Sequence, residues 1–382
     1  MTFDLTLSEE QDAVRDLARI LADDAVSPAA PEAEAARGVA DALWRTLLST
    51  GLTAPVAPEH GGGGVPDGTS RLLAVEGLGF GDAAIAASAF WSGNAALLIG
   101  SCGTAEQRDA MLPAFVTDTE LRAAVALYEG FGRAPSEYRT TIQAEGDRWR
   151  VRGRKTGVPL TAGGGPLIVV GTDPSAGDRL RAAVIPADDG QGEGGQGGVT
   201  VTASSPHLGL DAAPMSTVDL DVTVGERHLL GGPDADDAAL AHEVSMARLT
   251  TAALAIGCAQ RACEYASGYA TERTAFGRPI SVFQGVAFLM ADARMRIDAA
   301  RLQVWQAAAG LETTEAAGTE RAVSHAVAYA TSIASEVTRD CVQVLGGHGF
   351  LADHPVERWY RATASLTALD FDPTCLAFTP AL

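Results

Sequence analysis

The chain has 382 residues, 47% of them hydrophobic, with 28 Lys and Arg against 48 Asp and Glu, for a formal net charge of −20. Two or three domains are expected, because a single core seldom organises a chain of this length. The acidic excess argues against nucleic acid or an anionic membrane as a partner. No stretch is apolar for long enough to span a bilayer, and the opening MTFDLTLSEEQ lacks the basic and apolar segments of an export signal, so a cytoplasmic protein is expected. Cys102, Cys258, Cys263, Cys341 and Cys375 are scattered with no CxxC spacing and read as reduced packing residues.

In chain order, Ser8 followed three residues later by Gln11 predicts a capped amphipathic helix that ends before Pro28. Helical patterns recur over 40–49, 70–77 and 83–98, broken by the glycine-rich turn PEHGGGGVPDG, which no GKS or GKT follows. From about Leu121 the pattern becomes short and alternating. TTIQAEGDRWRVRG predicts a hairpin with its turn at Glu145-Gly146-Asp147, and LIVVGTD, RAAVIPA, GVTVTA and TVDLDVTV predict further strands of a small antiparallel domain. The glycine-rich 186–198 reads as an exposed loop.

Helical pattern returns near Ala238. Val244, Ala247, Thr251, Leu254 and Cys258 form one seam, and Phe283, Val286, Met290, Ala293, Ile297, Ala300 and Val304 form another. Val323, Ala326, Ala330, Ile333, Val337, Cys341 and Val344 form a third. Narrow seams of small residues at steps of three and four predict an antiparallel helical bundle. The divisions read as 1–120 helical, 121–235 β and 236–382 bundle.

Two blocks carry a family resemblance: RTAFGRPISVFQ at 273–284 and VQVLGGHGFLADHPVERWYR at 342–361. With LSEEQ, GLTAPVAPEHGGGG and SCGTAEQRDAMLPAF near the N-terminus, the chain resembles the acyl-CoA dehydrogenases from end to end. The resemblance implies a mainly α fold: a helical domain, a middle antiparallel β domain and a four-helix bundle. It also implies FAD, bound between the β domain and the bundle and covered partly by a second subunit. In the family a carboxylate removes the α-proton of an acyl-CoA while hydride leaves the β-carbon for the flavin.

The resemblance assigns Arg273, Phe276, Gln284, Gln343, Gly346 and Gly347 to the ADP portion of a flavin held across a subunit interface. A guanidinium suits a pyrophosphate, and paired glycines let a backbone approach it. Taken singly, Gln284 also fits a helix cap after Ser281, and the two glycines also fit a helix end. The contacts expected from the same subunit are eroded. Only Glu129, beside Tyr128 and Gly130, survives of the first segment, while Gly153 and Lys155 survive of the second. There Gly157 and Pro159 stand where the family has a stacking Trp and a hydrogen-bonding Thr.

The base position falls on Asp370, nine residues after Arg361, followed by Phe371-Asp372 where the family has Gly-Thr. A solvated turn aspartate is the other reading of Asp370. Arg248 matches an arginine near the CoA thioester, with Ser245 in place of an acid; a surface helix arginine is its other reading. His348 and His354 have no partner at ligand spacing, so no metal is expected.

Three functions follow. The first is an FAD-dependent dehydrogenase of acyl-CoA or acyl-carrier-protein thioesters using Asp370. The second is a non-catalytic subunit that completes a partner's flavin site in a hetero-oligomer. The third is another carbon-acid flavoenzyme, like the nitroalkane oxidases with their aspartate base. A homo- or hetero-oligomer, dimer or tetramer, and an electron-transfer flavoprotein as electron acceptor belong to the same resemblance. The pattern of loss favours the second function: contacts within the subunit are eroded and contacts across the interface are kept.

Overall fold

The computed structural model describes residues 6–63, 65, 67–130, 137–159, 165–185, 197–204, 207–313 and 316–369. Helix α1 (Glu9–Leu21) opens as its cap predicts: the Gln11 amide donates to Ser8 Oγ at 3.2 Å, and the Ser8 amide donates to Gln11 Oε1 at 3.0 Å. The expected stop at Pro28 is not there. A π turn over Ala22–Val26 carries the chain into α2 (Ser27–Ala36), so Pro28 sits in a first turn, where its missing N–H costs little. Helices α3 (Asp41–Ser49), α4 (Gly68–Gly81), α5 (Ala83–Cys102), α6 (Ala105–Met111) and α7 (Ala114–Thr117) complete this helical part. Helix α5 is long and apolar enough to cross a bilayer, but 83% of its apolar window is buried by its neighbours.

Strands β1 (Ala124–Ala126), β2 (Thr141–Glu145), β3 (Arg148–Val158), β4 (Leu167–Asp173), β5 (Arg179–Ile185), β6 (Gly197–Ala203) and β7 (Ser216–Gly225) follow. The β2–β3 turn has Gly146 at φ 67°, as a two-residue hairpin connection requires. The sheet is mainly antiparallel but mixed: β1 and β2 both run parallel to β4, each a connection that alternation along one strand cannot predict. Most of the glycine-rich loop at 186–198 lies outside the described residues, and its last two glycines open β6.

Helix α8 (Asp237–Glu272) crosses the whole molecule and packs on α9 (Gln284–Thr313), α10 (Ala316–Leu345) and α11 (Val356–Thr367), forming the bundle. The seams are buried along most of their length, with Ala293, Ile297, Ala300, Val323, Val337 and Cys341 at 1% exposure or less, while Val244, Phe283, Val286 and Met290 are half-buried. Small residues let helices touch. A Cβ on Gly257 of α8 would meet Glu76 O of α4 at 2.1 Å, so that crossing needs glycine. Between α8 and α9 a short hairpin pairs β8 (Thr274–Ala275) with β9 (Arg278–Pro279). The fold therefore leaves a crevice between sheet and α8, and a separate outward tip where α8, the hairpin and the end of α10 meet.

Candidate functional site

The crevice holds a cavity of about 360 Å³ between the sheet and α8, lined among others by Tyr138, Thr140, Lys155, His242, Ser245 and Arg248. Its wall is fixed by a buried ion pair. Lys155 Nζ, 1% exposed, donates to Glu129 Oε1 and to Leu127 O, both at 2.9 Å. Glu129 also accepts from the Arg139 amide at 2.6 Å and the Thr140 amide at 2.9 Å, which satisfies the carboxylate. Burial pulls the Lys155 ammonium down to about 8, with the Glu129 charge opposing. Burial alone would raise Glu129; Lys155 and the donors from Thr140 and Arg139 outweigh it and hold the carboxyl below its ordinary value.

Arg248 is not a surface arginine. It is 3% exposed, and its Nη1 donates to Ser324 Oγ at 3.2 Å, tying α8 to α10 beside the cavity. His242 Nδ1 lies 3.1 Å from Glu243 Oε1; that hydrogen bond is the main cause of its raised pKa, with burial opposing.

A second cavity is small: about 40 Å³, lined among others by Trp91, Asn94, Tyr128, Gly157, Pro159 and Leu369. These include the positions where the resemblance expects a flavin ring to be held by its own subunit. The backbone has changed there as well as the side chains. The β3–β7 register slips between Lys155 and Val158, and Gly157 takes φ 61°, a conformation a tryptophan would adopt only under strain. Tyr128 lines both cavities and stands between them. Behind the small one, Arg71 is 2% exposed and donates to Asn94 Oδ1 at 2.7 Å; burial lowers its guanidinium to about 10. Leu369 reaches the cavity, but the expected base, Asp370, lies outside the described residues, as do Phe371, Asp372 and Cys375.

The other expected contacts gather on the outward tip. Phe276 and Gly277 take φ 52° and 80°, the pair of left-handed residues that a type I′ hairpin needs. Phe276 is 96% exposed, though it is an aromatic residue in a conformation that favours glycine or asparagine. Arg273 ends α8 with its amide donating to Tyr269 O at 2.8 Å, and its side chain is exposed. Gln284 starts α9, while Gln343, Gly346 (φ 59°) and Gly347 close α10. Among the described residues, the Arg273 guanidinium and the Gln284 and Gln343 amides take no partner within the chain.

Two family models match: the acyl-CoA dehydrogenase N-terminal domain over residues 8–119 and the acyl-CoA dehydrogenase C-terminal domain over 238–370. The probable acyl-CoA dehydrogenase FadE25 of Mycobacterium tuberculosis is 32% identical over 370 residues, spanning 94% of this chain and 92% of the relative. The chain belongs to the acyl-CoA dehydrogenase family. Butyryl-CoA dehydrogenase from Megasphaera elsdenii shares the fold at 26% identity, with 97% of each chain covered and a TM-score of 0.82. A variant of the Tcur3481–Tcur3483 steroid ACAD does so at 29% identity, covering 95% of this chain and 94% of the other, with a TM-score of 0.77.

Acyl-CoA dehydrogenases are FAD-dependent oxidoreductases acting on CH–CH groups. The two regions fit that cofactor differently. The outward tip offers an unpaired guanidinium, two free amides and bare glycine backbone, a donor set suited to a pyrophosphate. The inner cavity is much the smaller of the two cavities, at about 40 Å³ against about 360 Å³.

Sequence reasoning retained Glu129 and Lys155 without joining them, because 26 residues separate them. It passed over Arg71 and Asn94 altogether. A lone arginine in an otherwise apolar helix was the available signal.

Proposed function

We propose that this acyl-CoA dehydrogenase-family chain acts as the flavin-completing subunit of a hetero-oligomer, with little or no dehydrogenation at its own site. One observation carries the reading: the contacts that reach across an interface stand exposed and unpartnered, while the ring site of the same chain is closed to about 40 Å³. Phe276 at the hairpin tip supports it: it is 96% exposed in a left-handed turn and meets Phe283 edge-on at 6.1 Å, leaving most of its ring open to a second subunit. Apolar residues on the outer face of α9, Phe288 at 66% and Met295 at 64% exposure, supply a surface for a second subunit.

In this reading the partner carries the flavin ring, the acyl thioester and the working carboxylate, and an electron-transfer flavoprotein takes up the electrons. This chain contributes Arg273, Phe276, Gln284, Gln343, Gly346 and Gly347 at the pyrophosphate end. Arg248 and the larger cavity retain the place of a CoA or carrier thioester without its chemistry.

The test is a pair of changes in the purified assembly. Arg273→Ala in this chain strips flavin from the complex, because the lost guanidinium reaches the partner's FAD. Asp370→Ala in this chain leaves the rate nearly unchanged. If the Asp370 change abolishes turnover and the Arg273 change spares the flavin, the chain is a dehydrogenase working at its own site.

A further inference from the structure

The outward tip is made of two segments distant in sequence, the Arg273 hairpin and the Gly346-Gly347 loop. Something must hold them in register if both are to touch one cofactor. Among the described residues, one set of side chains links them. Tyr265 and Tyr269 lie one turn apart on the last part of α8, and both face the loop that follows α10. Tyr269 OH lies 2.7 Å from His348 Nδ1, and Tyr265 OH lies 2.7 Å from His354 Nδ1. The two imidazoles stack on each other at 5.3 Å between centroids, 13° from parallel. Tyr265 also meets Trp359 of α11 edge-on at 5.5 Å, which anchors the far end.

Both ends of this set touch the proposed flavin contacts directly. His348 follows Gly347 in the chain. Tyr269 O accepts the amide of Arg273 at 2.8 Å, so the carbonyl that caps α8 and the hydroxyl that bonds His348 belong to one residue. The ladder spans the two segments with two hydrogen bonds and one stack. The bundle core already holds α8 against α10, as the buried seams show, so the four side chains are not needed for that.

We propose that Tyr265, Tyr269, His348 and His354 form a positioning ladder that sets the Arg273 guanidinium against the Gly346-Gly347 backbone. It fixes how tightly this chain grips a flavin pyrophosphate across the interface. The inference rests on the reading that FAD lies across this tip. The ladder residues themselves need not touch the cofactor; they act through the two segments they join. A tyrosine hydroxyl and an imidazole at this distance make a bond whose loss lowers affinity about five- to tenfold when nothing replaces it.

The experiment follows FAD release from the flavin-holding assembly, read by recovery of flavin fluorescence on dilution. Tyr269→Phe keeps the ring and removes the hydroxyl; His348→Phe keeps the stack and removes Nδ1. Each is expected to weaken FAD retention about five- to tenfold, and the double variant no further, because both remove one bond. His348→Asn, whose amide stands where Nδ1 does, is expected to restore most of the loss. Oligomeric state stays at the parent value throughout, and the thermal midpoint falls only slightly, as the loss of one hydrogen bond requires. Parental retention in both single variants, or losses that simply multiply in the double, would overturn the ladder. Should His348→Phe fail to fold, Tyr265→Phe with His354→Phe makes the same cycle at the second rung. Arg273→Ala is run beside them: flavin retained there overturns the underlying reading, whereas flavin lost there with the ladder variants unchanged overturns the ladder alone.

Discussion

The crevice and the outward tip were built for the same cofactor in this family, and in this chain they have gone different ways. In and behind the crevice the buried charges are committed within the chain: Glu129 is satisfied by Lys155 and two amides, and Arg71 donates to Asn94. At the tip, among the described residues, the Arg273, Gln284 and Gln343 side chains take no partner within the chain, and a bulky residue is held in a left-handed turn. A polar group that folds onto its own chain adds stability; one left facing outward adds none and waits for a ligand. On the proposed reading, the comparison makes the crevice a structural element and the tip a binding surface. Changes in the crevice should therefore move stability and spare the cofactor, and changes at the tip should do the reverse.

The largest effect is expected at the buried pair. Glu129→Ala leaves the Lys155 ammonium uncompensated and should destabilise the β domain by about 3–5 kcal/mol, seen as a lower urea midpoint. Glu129→Gln with Lys155→Met removes both charges and should recover much of that loss. If the single and double changes cost the same, the pair is not what holds this wall.

The same pair gives the pH dependence. The folded-state pKa of Glu129 is held below its unfolded value, so its contribution is present above the ordinary carboxylate pKa and is lost as pH falls through the folded value. Urea midpoints measured below about pH 4 should therefore drop for the parent. They should drop less for the double variant, which has no proton to take up there.

At the tip, Arg273→Ala should weaken flavin retention about ten- to hundredfold, the span expected for a charge-assisted contact, and leave the urea midpoint unchanged. A loss of stability without a loss of flavin would reverse the comparison. The outer face of α9 gives a related effect: Phe288→Glu should dissociate the assembly, measured by sedimentation, without unfolding the chain.

Gly157→Ala gives the smallest expected effect. A Cβ there would meet nothing nearer than Met215 Sδ at 3.9 Å, so only the φ of 61° resists it. The cost should be about 1–2 kcal/mol, with no change in the assembly's flavin.

How much of this was legible beforehand depends on how local each feature is. The Ser8–Gln11 cap, the Glu145-Gly146-Asp147 turn and the bundle seams are set within a few residues, and spacing alone exposes them. Pro28 misled because a proline marks a helix stop only if the turn before it is regular, and here a π turn absorbs it. The parallel pairing of β1 and β2 with β4 depends on neighbours far along the chain, and alternation within a strand is blind to it. Of the site, the motifs around Arg273 and Gly346 were readable as blocks, and so was the loss at Gly157 and Pro159. The left-handed turn at Gly157, the burial of Arg248 and the Tyr–His ladder were not, since each depends on what another element places against it.

The most direct measurement of the central claim is the flavin-to-chain ratio, taken first on this protein purified alone and then on the complex it forms with a co-expressed acyl-CoA dehydrogenase-family partner. The account predicts little or no FAD on the chain alone and no dehydrogenation of acyl-CoAs by it. It predicts one flavin for every two chains in the complex. One tightly bound FAD for each chain in a homo-oligomer, active on an acyl thioester and inactivated by Asp370→Asn, would contradict it.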